Sequence, residues 1–219
     1  VNQAEFTLKK YTEKKIGKNE FSDQILENII FDNCDFRGVD LSNTVFKNCI
    51  FYNSSTGFGC VFDRANLKNA SFQSCDITVC SFKFVDALGL EIVKSKAQGA
   101  DFSNASFVNK ITSRTWFSMA YIKESNLSYA NFERTVLEKC ELWGNRWNGA
   151  NFSGASFKGS DLTDCELHEI NWSEADFTYC DLRGSSISGL DLRRVNLEGV
   201  TIDSLQATHL LSELDITVD

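Results

Sequence analysis

No proline occurs among the 219 residues, so nothing removes a donor from a backbone hydrogen-bond ladder. Long apolar runs are missing too: there is no stretch of about 18 uncharged apolar residues, and Val1 to Lys15 hold nothing resembling a signal peptide. A cytoplasmic protein without a membrane partner is therefore expected. Histidine is scarce, His168 and His209 being the only two, and no glycine-rich phosphate loop is present. General acid–base and covalent catalysis lack their usual residues. The expectation is a protein that is not an enzyme, with no cofactor or metal and with His168 on the surface. Net positive charge is lacking as well. Thirty acidic residues against 22 basic ones give −8, which argues against direct binding to nucleic-acid phosphate or to an anionic membrane. It leaves open a basic partner, or a site that ordinarily accepts DNA.

What is present is a period of five. From Phe117 through Ile122, Leu127 and Phe132 to Ile202, every fifth residue is large and apolar, an unbroken run of eighteen. With such residues making up roughly a quarter of the chain, the chance probability is on the order of 10⁻¹¹. An earlier block runs from Phe62 to Phe107, weakened by Ala87 and Ala97, and a first block runs from Phe21 to Phe51. This spacing smears apolar residues around a helix and alternates the faces of a straight strand. A chain that turns about 90° in each repeat instead points every large residue at one axis, and four repeats close a square coil of about 20 residues. The residue two places earlier also points inward and must be small. The outward positions carry Asp, Asn, Ser and Gly, which tolerate tight turns.

Eight cysteines would suggest disulfides or zinc in another chain. Here Cys34, Cys49, Cys60, Cys75, Cys80, Cys140, Cys165 and Cys180 each lie two residues before a large apolar centre. They are read as core-filling small hydrophobes.

The chain resembles the pentapeptide-repeat family, and at finer grain the Qnr proteins. The segments that carry the likeness are Ala97 to Phe102, Arg114 to Phe117, Asn126 to Phe132, and Leu137 to Trp143. The resemblance implies an all-β, right-handed quadrilateral β-helix with two projecting loops and a short C-terminal α-helix. It also implies binding to DNA gyrase and topoisomerase IV, protection of both from quinolones, and homodimerisation through the C-terminal end.

In a solenoid, function sits where the repeat is interrupted. Between Phe51 and Phe62 the spacing is eleven. A first loop is expected at about 52–59, with Tyr52, Asn53, Ser54, Ser55, Thr56 and Phe58 as candidate contacts. Between Phe107 and Ile122 the phase survives, yet Lys110 and Thr112 fall at core positions. A second loop is expected at about 108–119, unless Phe117 is a buried centre. Its candidates are Lys110, Ser113, Arg114, Thr115 and Trp116, with Arg and Trp the types enriched in interface hot spots. The rod is expected to span 1–203. Residues 204–219 are expected to form a capping helix and tail, with Leu205, Leu210, Leu211 and Leu214 for the cap and a dimer contact. Glu141, Asp161 and Asp181, twenty apart, are expected to stack as an acidic row. That row either occupies a DNA-binding saddle or reflects turn chemistry alone.

Overall fold

A computed structural model describes residues 9–212 and 216. The strands are β1 (Lys9–Thr12), β2 (Ile25–Glu27), β3 (Ile29–Asp32), β4 (Val45–Lys47), β5 (Tyr52–Asn53), β6 (Phe58–Gly59), β7 (Ser71–Gln73), β8 (Leu90–Val93), β9 (Val108–Lys110), β10 (Trp116–Ser118) and β11 (Ala120–Lys123). A single turn of 3₁₀ helix covers Trp172–Glu174, and α1 covers Ser204–Ser212.

Parallel pairing of β2, β4, β7, β8 and β11 sets Leu26, Phe46, Phe72, Ile92 and Ile122 in register. Bridges from Tyr121 to Glu141, Asp161, Asp181 and Thr201 continue this first face toward the C-terminus. Three further columns of parallel bridges, through Ile50 and Asp76, through Asp35 and Val61, and through Asp40 and Asn66, form the second, third and fourth faces. The result is the four-sided coil that the five-residue period demands.

Each position in the repeat has a physical role. The large centres and the small residues two places before them are buried along most of the rod, and Leu192, Leu197 and Ile202 near the C-terminus are partly buried. On the third face Phe36, Phe62, Phe82, Phe102 and Phe132 form a column, with ring centroids 4.5, 4.7, 4.6 and 4.8 Å apart and nearly parallel planes. That spacing matches the distance between hydrogen-bonded strands, so ladder and ring stack reinforce each other. Ahead of the centre, Asp or Asn folds its side chain back onto the chain. Asp35 accepts from Arg37 N at 2.9 Å, and Asn151 accepts from Ser153 N at 3.0 Å. Two residues after the centre the backbone enters the left-handed region, as at Asn28 (φ 57°) and Asn48 (φ 51°). The many Asn residues there follow from that requirement.

Ala87 and Ala97, the two weak centres, flank Leu90, which stands where a small residue is expected; all three are buried. The extra volume of Leu90 fills what the alanines leave. Compensation fails near the C-terminus, where Ile170 precedes Trp172 at the small position. No alanine centre adjoins these two large residues. The third-face bridges stop after Asn151, and the chain makes its 3₁₀ turn at Trp172.

The second face carries buried polar residues at its small positions. Ser95 Oγ donates to Phe72 O at 3.1 Å and accepts from Cys75 N at 3.0 Å. Asn145 repeats the pattern, donating to Ile122 O and accepting from Ser125 N. Helix α1 ends this column. Its Gln206 donates to Leu182 O at 2.6 Å and to Ser185 O at 2.7 Å. Asp203 and Gln206 also exchange backbone-to-side-chain hydrogen bonds of 2.8 and 2.9 Å, a capping box at the helix start. Of the expected cap residues, Leu210 is buried, Leu211 is half-buried and Leu214 lies outside the described residues. Leu205 is corrected from cap packing: it is 79% exposed.

All eight cysteines are buried free thiols. Burial pushes Cys140 and Cys180 up to about 12 and Cys165 up to about 11. No helix among the described residues is long and apolar enough to cross a membrane.

Candidate functional site: two hairpins on the rod

The second break is an antiparallel hairpin in which β9 pairs with β10. Its length explains the surviving phase. Bridged residues lie twenty apart along most of the rod, but Lys96 pairs with Asn126 and Asp101 with Asn131, thirty apart. The insertion is ten residues, two whole repeats, and therefore leaves the register untouched. Phe117 is resolved as a hairpin residue: it is 41% exposed, and the buried run begins at Ile122.

Thr112, unsuited to a core centre, organises the tip. Its Oγ1 accepts from Thr115 N at 3.0 Å and Arg114 N at 3.2 Å, while Ile111 N donates to Thr115 O at 2.9 Å. Asn109 to Phe117, including Lys110, Ser113, Arg114, Thr115 and Trp116, are exposed. Lys110 lies opposite Trp116 and Asn109 opposite Phe117. Opposed residues share a side of an antiparallel ribbon, so Lys110 and Trp116 form one surface, while Asn109 and Phe117 form the other. Ile111 and Phe117 were missed as candidates because the period masked the insertion.

The first break adds six residues, since Asp35 pairs with Val61 and Asp40 with Asn66, twenty-six apart. This is what puts the later repeats one residue out of phase. Here β5 pairs with β6, Tyr52 opposite Gly59 and Asn53 opposite Phe58. Asn53 ties the loop together. Its carbonyl accepts from Gly57 N at 2.8 Å, its Oδ1 accepts from Ser55 N at 2.9 Å, and its amide donates to Asp32 at 2.8 Å. Ser54, Ser55 and Thr56 are exposed and Phe58 is 62% exposed, whereas Tyr52 and Asn53 are half-buried at the root. Gly59 lies against the next coil, where an added Cβ would stand 2.7 Å from Thr78 O and Cys80 N.

The hairpins leave different corners: the first between the second and third faces, the second between the fourth and first. These corners are diagonally opposite and about two and a half coils apart, about 12 Å along the axis.

Glu141, Asp161 and Asp181 are bridged neighbours on the first face. They are not a bare acidic strip. Glu141 pairs with Lys123, and Asp181 pairs with Arg183 at 2.6 Å. Asp161 accepts from Thr163 N at 3.0 Å and Thr163 Oγ1 at 2.7 Å. These contacts favour turn chemistry over a continuous phosphate-like row. Lys123 also lies over the Tyr121 and Trp143 rings, 5.3 and 5.7 Å from their centroids.

The fold agrees closely with the solved structure of trypsin-treated QnrB1, a plasmid-mediated fluoroquinolone resistance protein: TM-score 0.94, 50% identity, 96% of this chain and 99% of that one. The chain belongs to the Qnr family of pentapeptide-repeat proteins. Full-length QnrB1 matches at TM-score 0.92 and 51% identity, over 94% of this chain and 97% of that one. Family profiles described as "Pentapeptide repeat region" and "Pentapeptide repeats (8 copies)" match residues 130–206 and 20–54. The pentapeptide repeat protein QnrB4 of Escherichia coli is 56% identical over 136 residues, 62% of this chain and 63% of that protein. The quinolone resistance pentapeptide repeat protein QnrB96 of Scandinavium goeteborgense is 50% identical over 138 residues, 63% of this chain and 64% of that protein. The chain thus aligns with less than two thirds of the length of each of these two relatives.

Proposed function

We propose that this protein binds the bacterial type II topoisomerases, DNA gyrase and topoisomerase IV, in the cytoplasm and protects them from quinolones without catalysing a reaction. The observation that carries the reading is the ten-residue hairpin, which displays Lys110, Arg114, Trp116 and Phe117 outside the hydrogen-bonded rod. Exposed aromatic and cationic residues on a rigid support make a low-entropy anchor for a protein partner. Relatives named for quinolone resistance support the drug connection; the topoisomerase partner comes from the family resemblance. The first hairpin is the second contact, and the end closed by α1 is the homodimer contact, with Leu205 exposed there.

Purified protein is expected to restore gyrase supercoiling in the presence of ciprofloxacin. Unchanged inhibition at micromolar protein would reject the proposal. The same titration without drug separates a second reading: a DNA mimic suppresses supercoiling by itself, whereas a protector leaves it intact. The ion pairs at Glu141 and Asp181 favour protection.

A further inference from the structure

Three of the eight buried thiols, Cys140, Cys165 and Cys180, have no cysteine above or below them. Two columns differ: Cys34, Cys60 and Cys80 follow one another on the third face, and Cys49 precedes Cys75 on the second. The Cys34 backbone N–H donates to Cys60 Sγ at 3.3 Å, while the thiols themselves donate to main-chain carbonyls, Cys34 Sγ to Tyr11 O at 3.5 Å and Cys60 Sγ to Phe31 O at 3.2 Å. Bridge pairing of Asp35 with Val61 places the two cysteines in register on neighbouring strands. Their Cα atoms are therefore about 4.8 Å apart, inside the range of about 4.4–6.8 Å that a disulfide spans.

We propose that Cys34 and Cys60 are an oxidation site, at which a small hydroperoxide converts the two thiols into a disulfide joining adjacent coils.

The two sulfurs are prepared for different roles. The neighbouring Cys60 thiol holds Cys34 below the ordinary thiol range, with further help from the Lys14 backbone. Cys60 is pushed upward by the neighbouring Cys34 thiol and by burial, and stays protonated. Cys34 thiolate attacks the peroxide O–O bond, giving Cys34–SOH and hydroxide, which takes up the proton that Cys34 released. Cys60 sulfur then attacks the Cys34 sulfur; the S–S bond forms, the S–OH bond breaks, and the Cys60 proton leaves with the hydroxyl as water. Two thiols and one hydrogen peroxide give one disulfide and two waters. Cys34 lies one coil from β1, where Tyr11 O accepts from its Sγ at 3.5 Å, so loosening of the first coil admits a small oxidant. Cys60 directly follows β6, so the crosslink encloses the first hairpin in a ring between residues 26 apart.

The test treats the folded full-length chain with hydrogen peroxide, blocks remaining thiols with iodoacetamide in denaturant, and maps peptides without reduction. The expected result is a Cys34–Cys60 disulfide with six of the eight cysteines alkylated, reversed by dithiothreitol. Cys34→Ser should keep the circular dichroism spectrum and abolish the crosslink. Should that variant fail to fold, Cys60→Ser serves the same purpose. Eight alkylated cysteines after peroxide, or crosslinks only at Cys49–Cys75 or Cys60–Cys80, would overturn the proposal.

Discussion

Gln206 donates through Nε2 to the carbonyl of Leu182 at 2.6 Å, the contact that Asn145 makes with Ile122 farther up the same column. A helical residue thus completes a ladder built by coil residues. The cap is continuous with the rod's internal hydrogen bonding, in addition to the apolar contact of the buried Leu210.

Gln206→Leu should leave the Leu182 and Ser185 carbonyls without their donor and remove half of the capping box. The expected cost is about 1–3 kcal/mol, read as a lower urea midpoint and as faster amide exchange in α1. Leu205→Ala, at an exposed position, should leave the midpoint of the monomer nearly unchanged.

The cap should also weaken in acid. Asp203 is held below its ordinary value of 3.8 by the backbone N–H of Gln206, and also by that of Gly184. A carboxylate depressed in the folded state stabilises above its unfolded value, and the stabilisation disappears as pH falls through the folded one. Amide exchange measured across α1, corrected for its intrinsic pH dependence, should accelerate below about pH 4. Asp203→Asn should flatten that dependence.

Deleting Asn109 to Ser118 removes the ten-residue insertion and returns the pairing to a twenty-residue step. Met119 then follows Val108, and Phe107 and Ile122 are five apart again. The shortened chain should keep its β-sheet circular dichroism and lose protection of gyrase from ciprofloxacin.

Phe82 is stacked on both sides, by Phe62 at 4.7 Å and Phe102 at 4.6 Å. Phe82→Ala should cost about 3–5 kcal/mol in guanidinium unfolding, through lost burial and the cavity left behind. Gly59→Ala acts at the surface end of the same scaffold. Its new methyl meets backbone atoms that cannot yield, so the first hairpin should lose protection from amide exchange while the second keeps it.

The scaffold was legible because one residue in five reports the core directly: Ile122, Leu127 and Phe132 read the same in sequence and in space. Phe117 misled for a numerical reason, since an insertion of two full repeats leaves no phase error, whereas the six residues of the first hairpin announce themselves. The stacking of Glu141, Asp161 and Asp181 followed from their spacing of twenty. The ion pairing of Glu141 and Asp181 did not, because Lys123 and Arg183 reach those carboxylates through side-chain torsions that a register cannot encode. Gln206 was passed over because a lone glutamine after the last repeat carries no periodic signal. The 3₁₀ turn at Trp172 depends on the combined volume of Ile170 and Trp172 at one corner, which a count of apolar positions does not register.

Diagonal placement of the two hairpins sets a requirement on whatever holds them. A flat surface laid against a square bar touches at most two neighbouring edges, so it meets one hairpin and misses the other. A partner that engages both at once must close around the bar as a hand closes around a rail. Binding through both hairpins therefore selects for a clamp or cleft with two jaws, and a partner locked open should retain one contact and lose the other.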